Sequence, residues 1–279
     1  MIISYIKALR MKHWIKNLFL FSAPFFGGTL FSRDVLSIAI PVFFAFSFTA
    51  SSLYIFNDIQ DMDSDRFHPR KRSKPIASGE ISRSNAYILS SVLLFISLII
   101  SYKININYFY FILSYIAIQV SYSIYLKKIP IIDIFCISSG FVIRVFAGGE
   151  AFNVKISSWL FLTMFMIALV LASGKRYSEL EELKENAQSH RKSLKYYNRR
   201  FLMDMLIVSA SSSLICYALY ILEQSRNLIY TLPVVTFGLF RYLMLSEKGL
   251  GDPTEAIMRD FYLFLTVVLW LALVWLVRY

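Results

Sequence analysis

The sequence has few of the residues that build disulfide-bonded or cysteine-liganded domains. It contains two cysteines and three histidines among 279 residues. Because Cys136 and Cys216 both fall inside apolar runs, they form neither a disulfide framework nor a metal cluster. The histidines indicate no obvious catalytic base, since all three lie in polar segments (His13, His68 and His190).

Long linkers and low-complexity segments are also missing, so we expect one domain over residues 1–279. What the sequence has in excess is apolar surface. Hydrophobic residues make up 57% of the chain and aromatic residues 17%, whereas soluble domains contain about 45–50% apolar residues. The composition therefore predicts an integral membrane protein, and it excludes the soluble basic domain that nucleic-acid binding would require.

Apolar runs separated by charged joints predict an all-α bundle of about nine transmembrane helices. Several of these runs are shorter than the ~20 residues that a perpendicular crossing needs, so they would extend into flanking residues. The predicted spans are Leu18–Phe31, Val35–Phe56, Ala86–Tyr102, Tyr108–Tyr125, Ile131–Phe146, Trp159–Ala172, Phe201–Leu222, Ile229–Leu245 and Phe261–Val277.

The positive charges are distributed unequally between the two sides of this predicted bundle. With the N-terminus inside, 22 lysines and arginines fall on the inner side and five on the outer side. This asymmetry predicts a multi-pass protein of the inner (cytoplasmic) membrane, with cytoplasmic loops at 57–85, 173–200 and 246–260. A signal peptide over the first thirty residues is disfavoured, because eight apolar runs follow it without a convincing cleavage site. Residues 178–200 fit either an amphipathic interfacial helix or a solvated loop.

Both signs of charge are concentrated in NDIQDMDSDRFHPRKRSKPIASG, residues 57–79. If the helix of the second span continues through this segment, Asp58, Asp61 and Asp65 share an arc of roughly 60°. Asn57 flanks that arc and Asp63 points away from it. Like charges stacked on one helix face repel one another, so a cation is expected among them.

Mg²⁺ is the predicted cation, because it binds one or two carboxylates together with substrate phosphates and water. The predicted metal ligands are Asn57, Asp58, Asp61 and Asp65. The alternative is a solvated loop in which these acids pair with the basic residues that follow. At the inner end of a membrane helix we favour the metal, since charge at this position is costly and usually functional.

The basic residues after the aspartates predict contacts to the phosphates of a metal-chelated substrate. Pro69 and Pro75 restrict the backbone of this stretch, which lowers the entropy lost when it binds. Some of the cations are expected to contact anionic lipid head groups instead. The loop candidates for the donor phosphates are Arg66, Arg70, Lys71, Arg72 and Lys74.

The motif NDxxDxxxDR after the second span resembles the UbiA-type polyprenyltransferase superfamily, and residues 57–79 resemble its decaprenyl-phosphate phosphoribosyltransferase branch. Further similar segments are LRMKHWIKNLFLFSAP (9–24), YSIYLKKIPIIDIFCISSGFVIRVFAGG (122–149), GKRYSEL (174–180) and LFRYLMLSEKGLGDPTEAIMRD (239–260). The resemblance implies nine helices, Mg²⁺, and transfer of 5-phosphoribose from phosphoribosyl pyrophosphate to a polyprenyl phosphate.

A UbiA-type aromatic prenyltransferase that uses a prenyl diphosphate is the nearest alternative. Such enzymes usually carry a second acid pair spaced as Asp-x-x-x-Asp, whereas here Ile137 stands four residues after Asp133. A single acid at Asp133 indicates either that the donor binds in a different geometry or that Asp133 caps the start of the fifth span. A non-catalytic transporter or lipid-binding protein is the second alternative, disfavoured because transporters place charge near the bilayer midplane.

Cations outside the loop are needed because two polyanions must approach each other in this reaction. Lys175 and Arg176 are further candidates for the donor phosphates, although Lys175 could pair with Glu179. Arg144 lies deep within the fifth span and indicates a position inside the bundle, either structural or anion-binding. The candidates for the acceptor phosphate are Lys16, Asn17, Tyr122 and Lys127. A homo-oligomer is compatible with the sequence, which does not determine the oligomeric state.

Overall fold

The computed structural model describes residues 2–67, 71–183 and 192–279, and within them every long element is a helix. Several 3-10 helices connect the α-helices. The longest 3-10 helix among the described residues, Met11–Phe21, is called here the N-terminal 3-10 helix. The α-helices of these ranges are α1 (Ile2–Ala8), α2 (Ser22–Phe26), α3 (Arg33–Gln60), α4 (Met62–Arg66), α5 (Arg83–Ile104), α6 (Ile106–Ile124), α7 (Ile132–Ala151), α8 (Ser158–Leu183), α9 (Arg199–Gln224), α10 (Leu232–Glu247), α11 (Pro253–Arg259) and α12 (Phe261–Arg278).

In the part of the chain that the structure describes, seven segments are long and apolar enough to cross a membrane, which confirms the predicted helical membrane fold. They are Arg33–Gln60, Arg83–Ile104, Ile132–Ala151, Ser158–Glu181, Arg199–Gln224, Asn227–Glu247 and Phe261–Arg278. Of the other two predicted spans, the fourth is covered by the 19 residues of α6. The first is helical only over residues 18–26, in the end of the N-terminal 3-10 helix and in α2, and residues 27–31 form turns.

Several of these helices begin at a serine, asparagine or aspartate whose side chain caps the first turn, and these residue types are preferred at that position. Ser32 accepts a hydrogen bond from the Val35 amide at the start of α3, and Ser82 caps α5 in the same way. Asn198 and Asp260 cap α9 and α12. Each cap satisfies an amide that has no partner within its own helix, which matters most where the helix enters an apolar environment.

The helices continue further than the predicted loop boundaries at 57, 173 and 246. Helix α3, which contains the second predicted span, ends at Gln60, α8 continues to Leu183, and α10 ends at Glu247. Within the charged stretch 178–200, Leu194 and Tyr197 are buried against the bundle. This part of the stretch therefore packs on the protein. Residues 184–191 lie outside the described residues, so the two interpretations of the whole stretch stay open.

Arg144 lies inside the bundle on α7, as predicted, and its contacts are those of a structural residue. Its guanidinium donates hydrogen bonds to Asn17 Oδ1, to the Gly140 carbonyl and to the Tyr115 hydroxyl. The side chain also lies over the Phe46 ring, with 4.9 Å to its centroid. A buried cation with this many partners avoids the large penalty of an unpaired charge.

Asn17, predicted as an acceptor ligand, takes part in the same buried network. Its residue is fully buried, its Oδ1 accepts from Arg144, and its Nδ2 donates to Ser47 Oγ at 2.9 Å. Both ends of the amide are therefore engaged inside the protein. This geometry favours a role in joining the N-terminal 3-10 helix to α3 and α7.

The N-terminal 3-10 helix lies against α7 because Gly148 has no side chain. A Cβ built on Gly148 would lie 1.8 Å from the Leu20 carbonyl oxygen and 2.5 Å from its carbonyl carbon. The obstacle is backbone, which cannot rotate away as a side chain does. Any larger residue must therefore push the two helices apart.

We expect Gly148→Ala to destabilise the folded protein by more than ~2 kcal/mol, because backbone atoms must move to admit the methyl group. The midpoint of thermal unfolding and the yield of monodisperse protein in detergent measure this effect. Gly238→Ala is the matched control, since its Cβ would meet only the Thr266 methyl group at 3.1 Å. An unfolding midpoint equal to wild type in Gly148→Ala would contradict the close packing described here.

Candidate active site

The predicted aspartate face lies where α3 ends and α4 begins. Asp61 separates the two helices with a non-helical backbone (φ −93°, ψ 1°). The side chains of Asp58 and Asp65 are 5% and 6% exposed, and that of Asp61 is 28% exposed. Asp63 is 85% exposed and points away from them, as the helical wheel predicts. Two carboxylates are thus taken out of solvent at one end of the bundle.

Lys74 holds the two buried carboxylates together. Its ammonium lies 2.8 Å from Asp58 Oδ1 and 2.6 Å from Asp65 Oδ2. Arg10 approaches Asp58 from the other side, with its Nη2 at 2.6 and 2.8 Å from the two carboxylate oxygens. Burying these acids would carry a large desolvation penalty, and the two cations offset it.

Asp61 is held separately from this pair. Its Oδ1 lies 2.5 Å from Lys127 Nζ, and its Oδ2 accepts a hydrogen bond from Asn57 Nδ2 at 3.0 Å. Lys127, predicted for the acceptor phosphate, therefore reaches the aspartate face from the α6–α7 connection. Asn57 orients a carboxylate through its amide nitrogen.

The donor set on this face fits a magnesium ion that is shared with a substrate. One cationic centre, the Lys74 ammonium, already lies within hydrogen-bonding distance of Asp58 and Asp65. In the described part of the chain, however, no three acidic, histidine or cysteine side chains are grouped closely enough to hold a metal alone. Mg²⁺ usually keeps several waters and takes its remaining ligands from phosphates. The four-residue ligand set stays a prediction, and the geometry favours Asp58 and Asp65 within it.

The basic loop after the aspartates contributes its cations unequally. Lys74 faces inward, whereas Arg66 Nε donates to the Ala77 carbonyl and its Nη1 lies 3.9 Å from Asp63. Lys71 and Arg72, in the 3-10 helix Lys71–Ser73, are exposed at the end of the bundle. Arg70 falls outside the described residues, as does His68. Phosphate binding by these loop residues stays a prediction.

A second ion-pair network lies between α7 and α8. Arg176 is fully buried, and its nitrogens donate to Asp133 at 2.7 Å, to Glu179 at 2.6 Å and to the Tyr122 hydroxyl at 2.9 Å. Asp133 is also fully buried, and the Tyr197 hydroxyl donates to it at 2.6 Å. The structure thus brings together four of the predicted site residues, but in an enclosed network. This burial favours a structural role for Arg176 over direct contact with a donor phosphate.

A group of three side chains with fewer partners, called here the cation pocket, consists of the lysines Lys16 and Lys175 and the histidine His13. Lys175 Nζ lies 3.5 Å from Asp252 Oδ2. Lys16 has no acidic side chain within 4.0 Å in the ranges that the structure describes, and its ammonium lies 5.9 Å from the centre of the Phe141 ring. The His13 Nδ1 atom is buried and has no hydrogen-bond partner among the described residues. Cations of this kind are prepared to receive an anion.

The charges in the cation pocket shift one another's pKa values. Burial, with Lys175 next, lowers the pKa of Lys16 from 10.5 to about 8. Burial, Lys16 and Arg10 lower the pKa of His13 to about 4, so the imidazole is neutral at neutral pH. Burial would raise the pKa of Asp252, but Lys175, Lys16 and His13 together hold it well below its ordinary value.

An apolar cavity of about 200 Å³ lies between α8, α9, α10 and α12 and reaches the start of α11, next to Asp252. Its lining is almost entirely hydrocarbon and aromatic, as an isoprenoid chain requires. The lining residues include Phe26, Met164, Tyr217, Tyr242, Pro253 and Trp270. The cation pocket and this cavity therefore meet at the same segment of chain.

Sequence reasoning missed three residues of this site, Arg10, His13 and Asp252. All three lie in segments that carry the family resemblance, LRMKHWIKN and GLGDPTEAIM, so the signal was present without a role attached to it. Arg10 contacts Asp58, 48 residues along the chain. Its backbone adopts the left-handed conformation (φ 51°, ψ 44°) that turns α1 into the N-terminal 3-10 helix. Neither contact follows from helical spacing.

The fold and the site define a multi-pass helical membrane protein with an acidic face and a cation pocket at one end of its bundle. Residues 21–266 match the UbiA prenyltransferase family, and the chain belongs to that family, as predicted.

Two curated relatives carry the same name. The decaprenyl-phosphate phosphoribosyltransferase of Mycolicibacterium smegmatis is 35% identical, over 95% of this chain and 89% of the relative. That of Mycobacterium tuberculosis is 33% identical, over 96% and 92%. Among solved structures, a UbiA homologue from Archaeoglobus fulgidus bound to DMAPP and Mg²⁺ has the same fold, with a TM-score of 0.77 at 20% identity over 99% of both chains.

We expect Lys16→Met to stabilise the protein at pH 7, because the folded state there holds a charge that its surroundings disfavour. The pKa of Lys16 is about 8 in the folded protein and 10.5 in the unfolded chain, so this penalty is complete below pH 8 and fades between pH 8 and 10.5. The gain at pH 7 should be on the order of 2 kcal/mol, or roughly 5 °C in unfolding midpoint.

Thermal unfolding in detergent at pH 7 and pH 9.5 measures the difference, which should be smaller at the higher pH. Lys103→Met, which removes an exposed lysine, is the control. A Lys16→Met variant that is less stable than wild type at pH 7 would contradict the buried, poorly compensated charge.

Proposed function

We propose that the protein transfers the 5-phosphoribosyl group from phosphoribosyl pyrophosphate to a polyprenyl phosphate such as decaprenyl phosphate, giving polyprenylphosphoryl-5-phosphoribose and pyrophosphate. It is then a pentosyltransferase of the UbiA family. Relatives that carry this name align along nearly the whole chain. The observation that carries the proposal is the placement of an acidic face and a separate cation pocket at one end of the bundle, above an apolar cavity.

The donor pyrophosphate is assigned to the aspartate face. Asp58 and Asp65, with Asp61 and Asn57 beside them, would hold Mg²⁺, which on binding neutralises the charge that develops on the leaving pyrophosphate. Lys74, which lies within hydrogen-bonding distance of both carboxylates, would be available to bind a phosphate oxygen of the donor. Arg72 and Lys71 are exposed and extend the positive surface outward. Arg70, which lies outside the described residues, is assigned to the same phosphates from its place in the sequence.

The acceptor phosphate is assigned to the cation pocket. Lys16 attracts the phosphate, as the sequence predicts, together with Lys175, which the sequence analysis assigned to the donor phosphates instead. Neutral His13 presents one donor and one acceptor nitrogen. The first isoprene units of the tail occupy the apolar cavity, which is lined in part by Pro253, the residue next to Asp252. Arg10 separates the two regions, because it contacts Asp58 and lowers the pKa of both His13 and Lys16.

The reaction requires no strong general base. An oxygen of the acceptor phosphate forms the new bond to the anomeric carbon, while the bond from that carbon to the pyrophosphate oxygen breaks and its electron pair leaves with pyrophosphate. The acceptor oxygen is already anionic near neutral pH. Positive charge develops on the sugar ring, as in other glycosyl transfers. The neutral state of His13 at neutral pH is compatible with this chemistry.

The proposal also assigns the protein to the inner (cytoplasmic) membrane, with its N-terminus and the charged end of the bundle on the cytoplasmic side. Soluble phosphoribosyl pyrophosphate would then enter from the cytoplasm, and the lipid acceptor from the bilayer. Residues 1–279 act as a single membrane domain. Oligomeric state is left open.

Reconstituted protein supplied with labelled phosphoribosyl pyrophosphate, decaprenyl phosphate and Mg²⁺ should form a labelled lipid. Chelation of the metal with EDTA should abolish this product, and added Mg²⁺ should restore it. Turnover of a prenyl diphosphate with an aromatic acid, without a labelled lipid, would instead identify an aromatic prenyltransferase. Ile137 argues against that outcome, because it packs against the core where such enzymes usually carry an acid.

We expect Asp58→Asn to lower kcat at least 100-fold, because it removes one of two buried carboxylates that converge on a single cation. Asp63→Asn makes the same chemical change five residues later, on a side chain that is 85% exposed, and should retain wild-type activity. Both variants are compared by single-turnover formation of the labelled lipid after their folding is checked by size-exclusion chromatography. Wild-type activity in Asp58→Asn would exclude the metal assignment.

A further inference from the structure

The loop before α11 is clamped against α8 at the level of the cation pocket. A Cβ built on Gly251 would lie 2.0 Å from the Gly174 carbonyl oxygen, so the two backbones touch. The Tyr242 hydroxyl donates to the Gly251 carbonyl at 2.6 Å and fixes the loop from the other side. Gly174 directly precedes Lys175, and Gly251 directly precedes Asp252. These contacts therefore determine where Asp252 lies relative to Lys175.

The two carboxylate oxygens of Asp252 have different partners. Oδ1 accepts hydrogen bonds from the amides of Thr254 at 3.0 Å and Glu255 at 3.4 Å, and thereby caps α11. Oδ2 faces the Lys175 ammonium at 3.5 Å. Capping uses only one oxygen and needs no charge, since asparagine and serine cap helices as well as aspartate does. The Oδ2 atom and the negative charge of Asp252 are therefore not needed for the cap, and they act on Lys175 instead.

The groups that act on Lys16 from the surrounding elements are otherwise positive or neutral. They are Arg10 and His13 from the N-terminal segment, Arg144 from α7 and Lys175 from α8, with Asp252 as the negative group. Three of these neighbours carry a full positive charge. A phosphate-binding lysine in such surroundings loses its proton too easily unless an acid offsets them. The burial-lowered pKa of Lys16, about 8, already includes the opposing effect of Asp252.

We propose that Asp252 is a positioning residue for the acceptor phosphate: its Oδ2 atom holds Lys175 at the edge of the cation pocket, and its negative charge lies at the start of α11, which packs against the N-terminal 3-10 helix that carries Lys16. The assignment rests on the proposed function. Asp252 does not touch the reacting atoms. It holds the Lys175 ammonium at the edge of the pocket and offsets the positive groups around Lys16 until the lipid phosphate binds.

Asp252→Asn tests this role, because it keeps an oxygen for the α11 cap and removes only the charge. The first readout is the pH dependence with which an amine-reactive acylating reagent modifies Lys16, followed by mass spectrometry of the full-length protein in detergent. Only the unprotonated amine reacts, so the midpoint reports the pKa of Lys16. We expect the midpoint to move down by about one pH unit in Asp252→Asn.

The second readout is kcat/KM for decaprenyl phosphate as a function of pH. Its alkaline limb should move to lower pH by the same amount, so that the fall in activity between pH 6.5 and pH 8.5 is about sixfold larger in Asp252→Asn than in wild type. Glu255→Gln is the matched control, because it removes a charge from the same short helix at an exposed side chain that pairs with Arg259. It should leave both profiles unchanged. Asp252→Ser supplies a second charge-free variant that still caps the helix.

Wild-type labelling profiles of Lys16 in both Asp252→Asn and Asp252→Ser would overturn the inference. The labelling result does not depend on the reaction, which keeps the two hypotheses distinguishable. Wild-type protein that forms no labelled lipid would contradict the proposed function, whereas a normal pH profile in the Asp252 variants would contradict only the role of Asp252.

Discussion

Lys74 lies between two buried carboxylates, and the arrangement of the charged end of the bundle depends on this contact. Asp58 and Asp65 would repel each other at this separation if no cation lay between them, and burial increases that repulsion. The loop that carries Lys74 is thereby fixed to the end of α3. Arg10 completes the charge balance and ties the N-terminal segment to the same point. A magnesium–diphosphate complex would complement these charges. The metal would replace the Lys74 ammonium between the carboxylates, and the phosphates would pair with Lys74.

The cation pocket has the opposite imbalance. The charge of Lys16 is disfavoured by burial and by the nearby Lys175, which destabilises the folded protein and favours the arrival of an anion. Functional sites commonly retain such destabilising charge, and ligand binding relieves it. The apolar cavity, which Pro253 helps to line, indicates what kind of anion would bind. A ligand with an anionic group followed by a hydrocarbon chain fits the cation pocket and the cavity together.

Helical periodicity predicted the aspartate face, since it is a local property: Asp58, Asp61 and Asp65 lie within two turns, and Asp63 points away as expected. Apolar runs likewise predicted the membrane helices. Burial was not predictable, because it depends on packing between distant segments. Asn17 and Arg176 have the side chains of ligands, yet both are enclosed and hydrogen-bonded inside the bundle. Asp252 approaches Lys175 only because two glycine backbones touch, a contact that no local pattern records.

The location of the divalent cation tests the central claim most directly. Anomalous diffraction from crystals grown with Mn²⁺ and phosphoribosyl pyrophosphate would locate the metal without reference to activity. We predict a manganese peak about 2.1 Å from carboxylate oxygens of Asp58 and Asp65, with Lys74 moved onto the diphosphate. A peak elsewhere, with Lys74 still bridging the two aspartates, would contradict the account.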